Sequence, residues 1–121
     1  MMKTSELTGV ALDWAVAKCE GIGLGPKGSV VYYHKGDPAM WHPSTNWAQG
    51  GPIIEREMIR LTPKCTLNPL HRWVAAYRSF DDDDDFYVLH RKRGKTPLHA
   101  AMRCYVASKM GDTVEVPEEL L

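Results

Sequence analysis

The sequence predicts an α+β protein: a small antiparallel β-sheet, formed by a hairpin plus a short strand, packed by three helices in an α-β-α sandwich-like arrangement. Three observations carry this. Three segments place apolar residues at helical spacing behind capping residues. "HRWVAAYRS" and "FYVLHRK" alternate as paired strands do. The order helix, strand, helix, hairpin, helix then suits a layered packing.

The first helix is expected over about residues 5–20, in "KTSELTGVALDWAVAKCEG". Thr4 or Ser5 can cap its free amides, and Glu6 suits the positive end of the dipole. Leu7, Val10, Ala11, Trp14, Ala15 and Lys18 recur at helical spacing, and Gly21 can take the left-handed stop conformation. "GIGLGPKGS" reads as a connector. Its partial Gly-x-Gly follows a helix rather than a strand, and no Gly-Lys-Ser/Thr ending makes it a phosphate loop. "SVVYYH" reads as a short strand and "KGDPAMWHP" as turn and loop.

"STNWAQGGPII" opens a second helix, expected over about 45–58 and interrupted near Gly51. Thr45 or Asn46 can cap it, and Gln49 follows Asn46 at capping-box spacing. Gly50, Gly51 and Pro52 ordinarily stop a helix, and Pro52 lacks an amide donor, so a kink or restart is expected there. Trp47, Gly51, Ile54 and Met58 share one face. Gly51 should therefore admit the close approach of Trp73 or the last helix.

"LTPKCTLNPL" reads as a loop. In the hairpin, Trp73, Ala75 and Tyr77 point one way and Val74 and Ala76 the other, with Asp81 to Asp85 as an acidic turn. "GKTPLHAAMRCYVASKMGD" is the last helix. Thr96 caps it, Pro97 takes the first position, and Leu98, Ala101, Met102, Tyr105 and Val106 form its buried stripe. Gly111 stops it, and residues 112–121 form an acidic tail that Val114 and Val116 can anchor.

The 121 residues suffice for a single domain, 1–121, able to bury a core without metal or disulfide. Fifteen basic residues balance fifteen acidic ones, which argues against a dedicated non-specific DNA binder. Cys19, Cys65 and Cys104 are odd in number and far apart, as expected of reduced thiols in a cytoplasm. No run resembles a signal peptide or a membrane span, so a cytoplasmic protein without membrane association is expected.

No catalytic constellation emerges, and neither metal nor cofactor is expected. The five consecutive aspartates lack the spacing of a Ca²⁺ loop and read as a solvated turn. His34, His42, His71, His90 and His99 show no zinc spacing, although His71 and His90 could approach across the hairpin. There is no Gly-x-Ser-x-Gly elbow, Cys104 reads as a core thiol, and Glu55 and Glu57 face different sides of their helix. Trp41 and Trp47 flank the Pro43-Ser44 turn. If partly exposed, they anchor a protein partner together with Ser44 and Asn46; otherwise they close over the end of the sheet. Arg91, Lys92, Arg93 and Lys95, with Tyr87, Trp73 and Tyr77 nearby, offer an alternative nucleic-acid interface. Against it stands the reading that these cations neutralise the aspartates across the hairpin. A third reading makes the Gly50-Gly51 turn a backbone-amide anion site.

"KTSELTGVALDWAVAKCEG", "PSTNWAQGGPIIERE" and "TPLHAAMRCYVASKMGDTVEVPEEL" resemble, in order, the NinX-like small proteins of the nin region of lambda-like phages. A more distant similarity is to small phage domains built as α-β-α sandwiches. The resemblance implies an accessory phage protein in the cytoplasm of the bacterial host, and it carries no catalytic residue over. The expected partner is a host or phage protein. Nucleic acid comes second, and homo-oligomerisation stays open.

Overall fold

A computed structural model describes residues 2–21, 31–34, 37–80 and 87–118. In chain order these form β1 (Met2–Lys3), α1 (Gly9–Glu20), β2 (Val31–His34), β3 (Asp37–Met40), α2 (Trp47–Glu57), β4 (Arg60–Pro63), β5 (Trp73–Phe80), β6 (Tyr87–Gly94), α3 (Pro97–Met110) and β7 (Thr113–Val114). The fold is α+β, with antiparallel sheets, as the sequence predicts.

The first helix begins later than expected. Thr4–Glu6 form a 3-10 turn, and α1 starts at Gly9 behind Thr8, whose side chain makes no capping bond. Thr4 is used elsewhere: its hydroxyl donates to Gly111 O at 2.6 Å and its amide to Asp112 O at 2.8 Å, tying the two chain ends together. Met2 pairs with Val114 beside it, so Val114 does anchor the tail. Gly21 ends α1 at φ 70°, as its lack of a side chain allows. The helix is not a surface stripe: every residue from Ala11 to Ala17 is buried, while Val10 is exposed. Its alanines let neighbours approach from several sides.

The second helix is continuous from Trp47 to Glu57; no interruption occurs at Gly51. Asn46 caps it, Oδ1 accepting from Ala48 N at 2.8 Å. The capping box does not close on Asn46, because Gln49 Oε1 instead accepts from His42 N at 2.7 Å. Pro52 lies inside the helix on its exposed side, where the ring meets solvent and the unpaired carbonyl one turn back can be hydrated. Met58, at φ 54°, ends it. The glycine that permits close packing is Gly50, not Gly51. A Cβ on Gly50 would lie 2.5 Å from Pro43 O, whereas one on Gly51 meets only Trp47 Cε3, at 3.8 Å.

The main sheet has the order β4-β5-β6. Its hairpin is the expected one, with Trp73 opposite Gly94 and Phe80 opposite Tyr87. Its third strand is not the "SVVYYH" strand. That segment pairs with Asp37–Met40, expected as turn and loop, in a separate two-stranded sheet. The third strand is Arg60–Pro63, whose last residues were expected as loop. An edge strand tolerates Pro63 because its missing donor can face solvent. Asp81 to Asp85 lie outside the described residues.

One face of this sheet carries α3. Leu61, Trp73, Ala75 and Tyr77 pack into the same apolar cluster as Ala101, Met102, Cys104 and Tyr105. Thr96 caps α3, its hydroxyl accepting from His99 N at 3.1 Å, and Pro97 sits in the first turn. The helix is buried well beyond its expected stripe, because α1 and α2 also pack on it. Gly94 fixes how close helix and strand come: a Cβ there would stand 2.5 Å from Ala100 N.

Candidate functional site

Period-two alternation sorts the main sheet into two faces. The register sets Leu61, Ala75 and Lys92 side by side on the face that meets α3. It sets Arg60, Ala76 and Arg91 side by side on the other, then Thr62, Val74 and Arg93, then Arg78 beside Leu89. This second face is open. It forms the floor of a groove of about 1250 Å³, rimmed by Glu57 and Met58 from the end of α2 and by Lys64 and His71 from the β4–β5 connection.

The groove is cationic. Arg60, Arg78, Arg91 and Arg93 are exposed, and Lys64 continues the β4 row, its amide donating to Arg72 O at 2.7 Å. No ion pair among the described residues engages Arg60, Lys64, Arg91 or Arg93. Glu57 is the acid that lines the groove, and it is already shared by Arg56 at 3.4 Å and Lys109 at 3.9 Å. Like charges gathered on one face repel, and an arriving anion relieves that repulsion. Small Val74 and Ala76 between the rows keep the centre low.

The structure divides the "HRKRGK" segment. Arg91 and Arg93 line the groove floor, while the register turns Lys92 towards the other face, where it pairs with Asp112 at 3.4 Å and reaches only the groove's edge. Lys95 is exposed beyond the strand end. Trp73 and Tyr77 lie on the α3 face, so they are no stacking surface for this groove. Tyr87 opens β6, and its side chain lies outside the described residues. The proposed neutralisation of the aspartates falls on undescribed residues, but Arg93 lies six residues, about 20 Å, along β6 from Tyr87. His71 lines the groove and His90 does not; His90 stands on the opposite face, its ring 6.1 Å from that of Tyr77.

The tryptophan site separates. Trp41 is buried, 8% exposed, and its Nε1 donates to Asp13 O at 3.0 Å. Ser44 is buried, its amide donating to Asp13 Oδ1 at 2.9 Å. The carboxyl of Asp13 is raised above its usual range by burial, which the Ser44 amide partly offsets. Asn46 is spent on capping. Trp47 alone of this group presents a large apolar surface, at 54% exposure.

A second polar cluster joins the three helices. Arg56 holds Glu20 with two bonds, at 3.0 and 2.7 Å, and the Tyr105 hydroxyl donates to Glu20 at 2.6 Å. Burial works against the Glu20 charge, but these bonds outweigh it and hold the carboxyl below its usual range. Burial pushes the thiols of Cys19 and Cys104 up to about 11 and about 12, so neither is a ready nucleophile. Among the described residues no three His, Cys, Asp or Glu side chains converge on a metal position, and no helix is long and apolar enough to cross a membrane.

A family model described as "Bacteriophage P22, NinX" matches residues 3–109 of the chain. No curated protein matches it. The matched span includes α1, α2, all of α3 but its last residue, and the whole of the cationic sheet.

Proposed function

The chain belongs to the family of bacteriophage P22 NinX, and we propose that it is a phage accessory protein that binds nucleic acid through the open face of β4-β5-β6. The observation that carries this is the set of cations Arg60, Lys64, Arg91 and Arg93 on one groove, with no ion pair among the described residues to take up their charge. Arg is suited to phosphate because its planar fork can donate two bonds at once. A balanced total charge does not oppose the reading. Total charge is a sum over the surface, whereas binding responds to the local field, and the acids Glu20, Glu57 and Asp112 are engaged elsewhere.

Fluorescence anisotropy of a labelled 20-mer, as single strand and as duplex, tests it at low salt. Binding by the wild type and its loss in the Arg60→Ala/Arg91→Ala/Arg93→Ala variant, at unchanged melting temperature, are expected. Absence of binding to either probe removes the reading. A protein partner is the second reading, supported by exposed Trp47 and no longer by Trp41 or Ser44. Trp47→Ala should then weaken capture of that partner and leave oligonucleotide binding intact.

A further inference from the structure

We propose that the groove takes one extended strand of nucleic acid, lying along β5 between two rails of cations. This rests on the nucleic-acid reading and adds the form of the ligand. One rail is Arg60 and Lys64, on and just beyond β4; the other is Arg91 and Arg93, on β6. Between them β5 contributes Ala76, half-buried, and Val74, buried beneath its neighbours, whose short side chains keep the centre lower than the rails. Strand spacing puts the rails about 10 Å apart at the backbone. Along a rail, residues two apart stand about 6.8 Å from each other, near one phosphate step of an extended strand. Arg91 and Arg93 can therefore each meet a successive phosphate.

The trough runs from the level of Arg78 and Leu89 to that of Lys64. That is about 20 Å, enough for about three nucleotides. A single strand can set its phosphates against the cations and turn sugar or base onto half-buried Ala76 and exposed Leu89 at the trough's end. A duplex is convex, with phosphates on its outside. It would rest on the tips of the rails and leave those two residues uncovered.

The test compares labelled dT12 with the dT12·dA12 duplex, using unlabelled polyglutamate as a competitor. The single strand should bind at least about ten-fold more tightly than the duplex, and polyglutamate should displace it poorly. The Arg60→Ala/Lys64→Ala and Arg91→Ala/Arg93→Ala variants should each weaken dT12 binding by about ten-fold or more at unchanged melting temperature. Ala76→Leu fills the trough and keeps every cation, so it too should weaken dT12 binding. Equal or tighter duplex binding, efficient displacement by polyglutamate, a loss confined to one rail, or unchanged binding by folded Ala76→Leu would each overturn the single-strand inference. Duplex binding would leave the nucleic-acid reading standing; binding of neither probe would end both.

Discussion

Gly50 lies directly against Pro43: a Cβ on Gly50 would stand 2.5 Å from Pro43 O and 2.6 Å from Leu98 Cδ2. The residue thus joins α2, the turn before it and the first turn of α3 at one point. Gly51, rotated about 100° further round the helix, meets nothing of the kind.

The two glycines should respond oppositely to alanine. Gly50→Ala forces a backbone carbonyl aside, which costs about 1–3 kcal/mol as overpacking. Gly51→Ala should hold or raise stability, by up to about 1 kcal/mol, through helix propensity. Chemical denaturation of both variants checks this. Greater damage at Gly51 would contradict the packing described.

Asp13 should matter as an acceptor rather than as a charge. Removing it in Asp13→Ala leaves the buried Ser44 amide without its partner, at about 1–3 kcal/mol. Asp13→Asn keeps an acceptor oxygen and removes the buried charge. Because the folded carboxyl titrates above its unfolded value, ionisation opposes folding. Asp13→Asn should therefore equal or exceed the wild type at neutral pH. Its advantage should shrink as pH falls through the raised carboxyl value. Equal losses in both variants would exclude the acceptor role.

His99 should make the protein acid-sensitive. The residue is 4% exposed, and among the described residues its Nε2 has no hydrogen-bond partner. Burial, then the nearby Arg103 and Lys95 charges, lower its value from 6.5 to about 4. The fold therefore favours the neutral ring. This contribution is complete above the unfolded value of 6.5 and is lost as pH falls from there towards 4. Its ceiling is about 3 kcal/mol. Denaturation midpoints across that window should fall more steeply for the wild type than for His99→Phe. Parallel slopes would remove His99 as the sensor.

The hairpin was legible because eight residues alternate on each side of an acidic run, and period two leaves no other structure. The last helix was legible from Thr96 and Pro97, whose chemistry fits only a helix start. The candidate site was half legible. "HRKRGK" drew attention to Arg91 and Arg93, but alternation also turns Lys92 away, and a charge run does not reveal that until strand register is known. Arg60 and Lys64 were missed because β4 is four residues long and ends in proline, which reads as loop. The alternation Arg60-Leu61-Thr62 was the available signal. The choice of Gly51 followed from assuming that Trp47 faces inward; Trp47 is exposed, so the helix is rotated and Gly50 takes the contact. Trp41 gave no local sign of its partner, since Asp13 lies 28 residues away in sequence.

Phosphates that meet the cations of one sheet face make oligonucleotide binding depend on salt. For a single strand, each phosphate contact contributes about 0.7 to the slope of log K against log salt. Engagement of Arg60, Lys64, Arg91 and Arg93 predicts a slope of about −3, reduced in magnitude by about 1.4 in the Arg91→Ala/Arg93→Ala variant. A slope near zero, or one that this variant leaves unchanged, would contradict the assignment of the face.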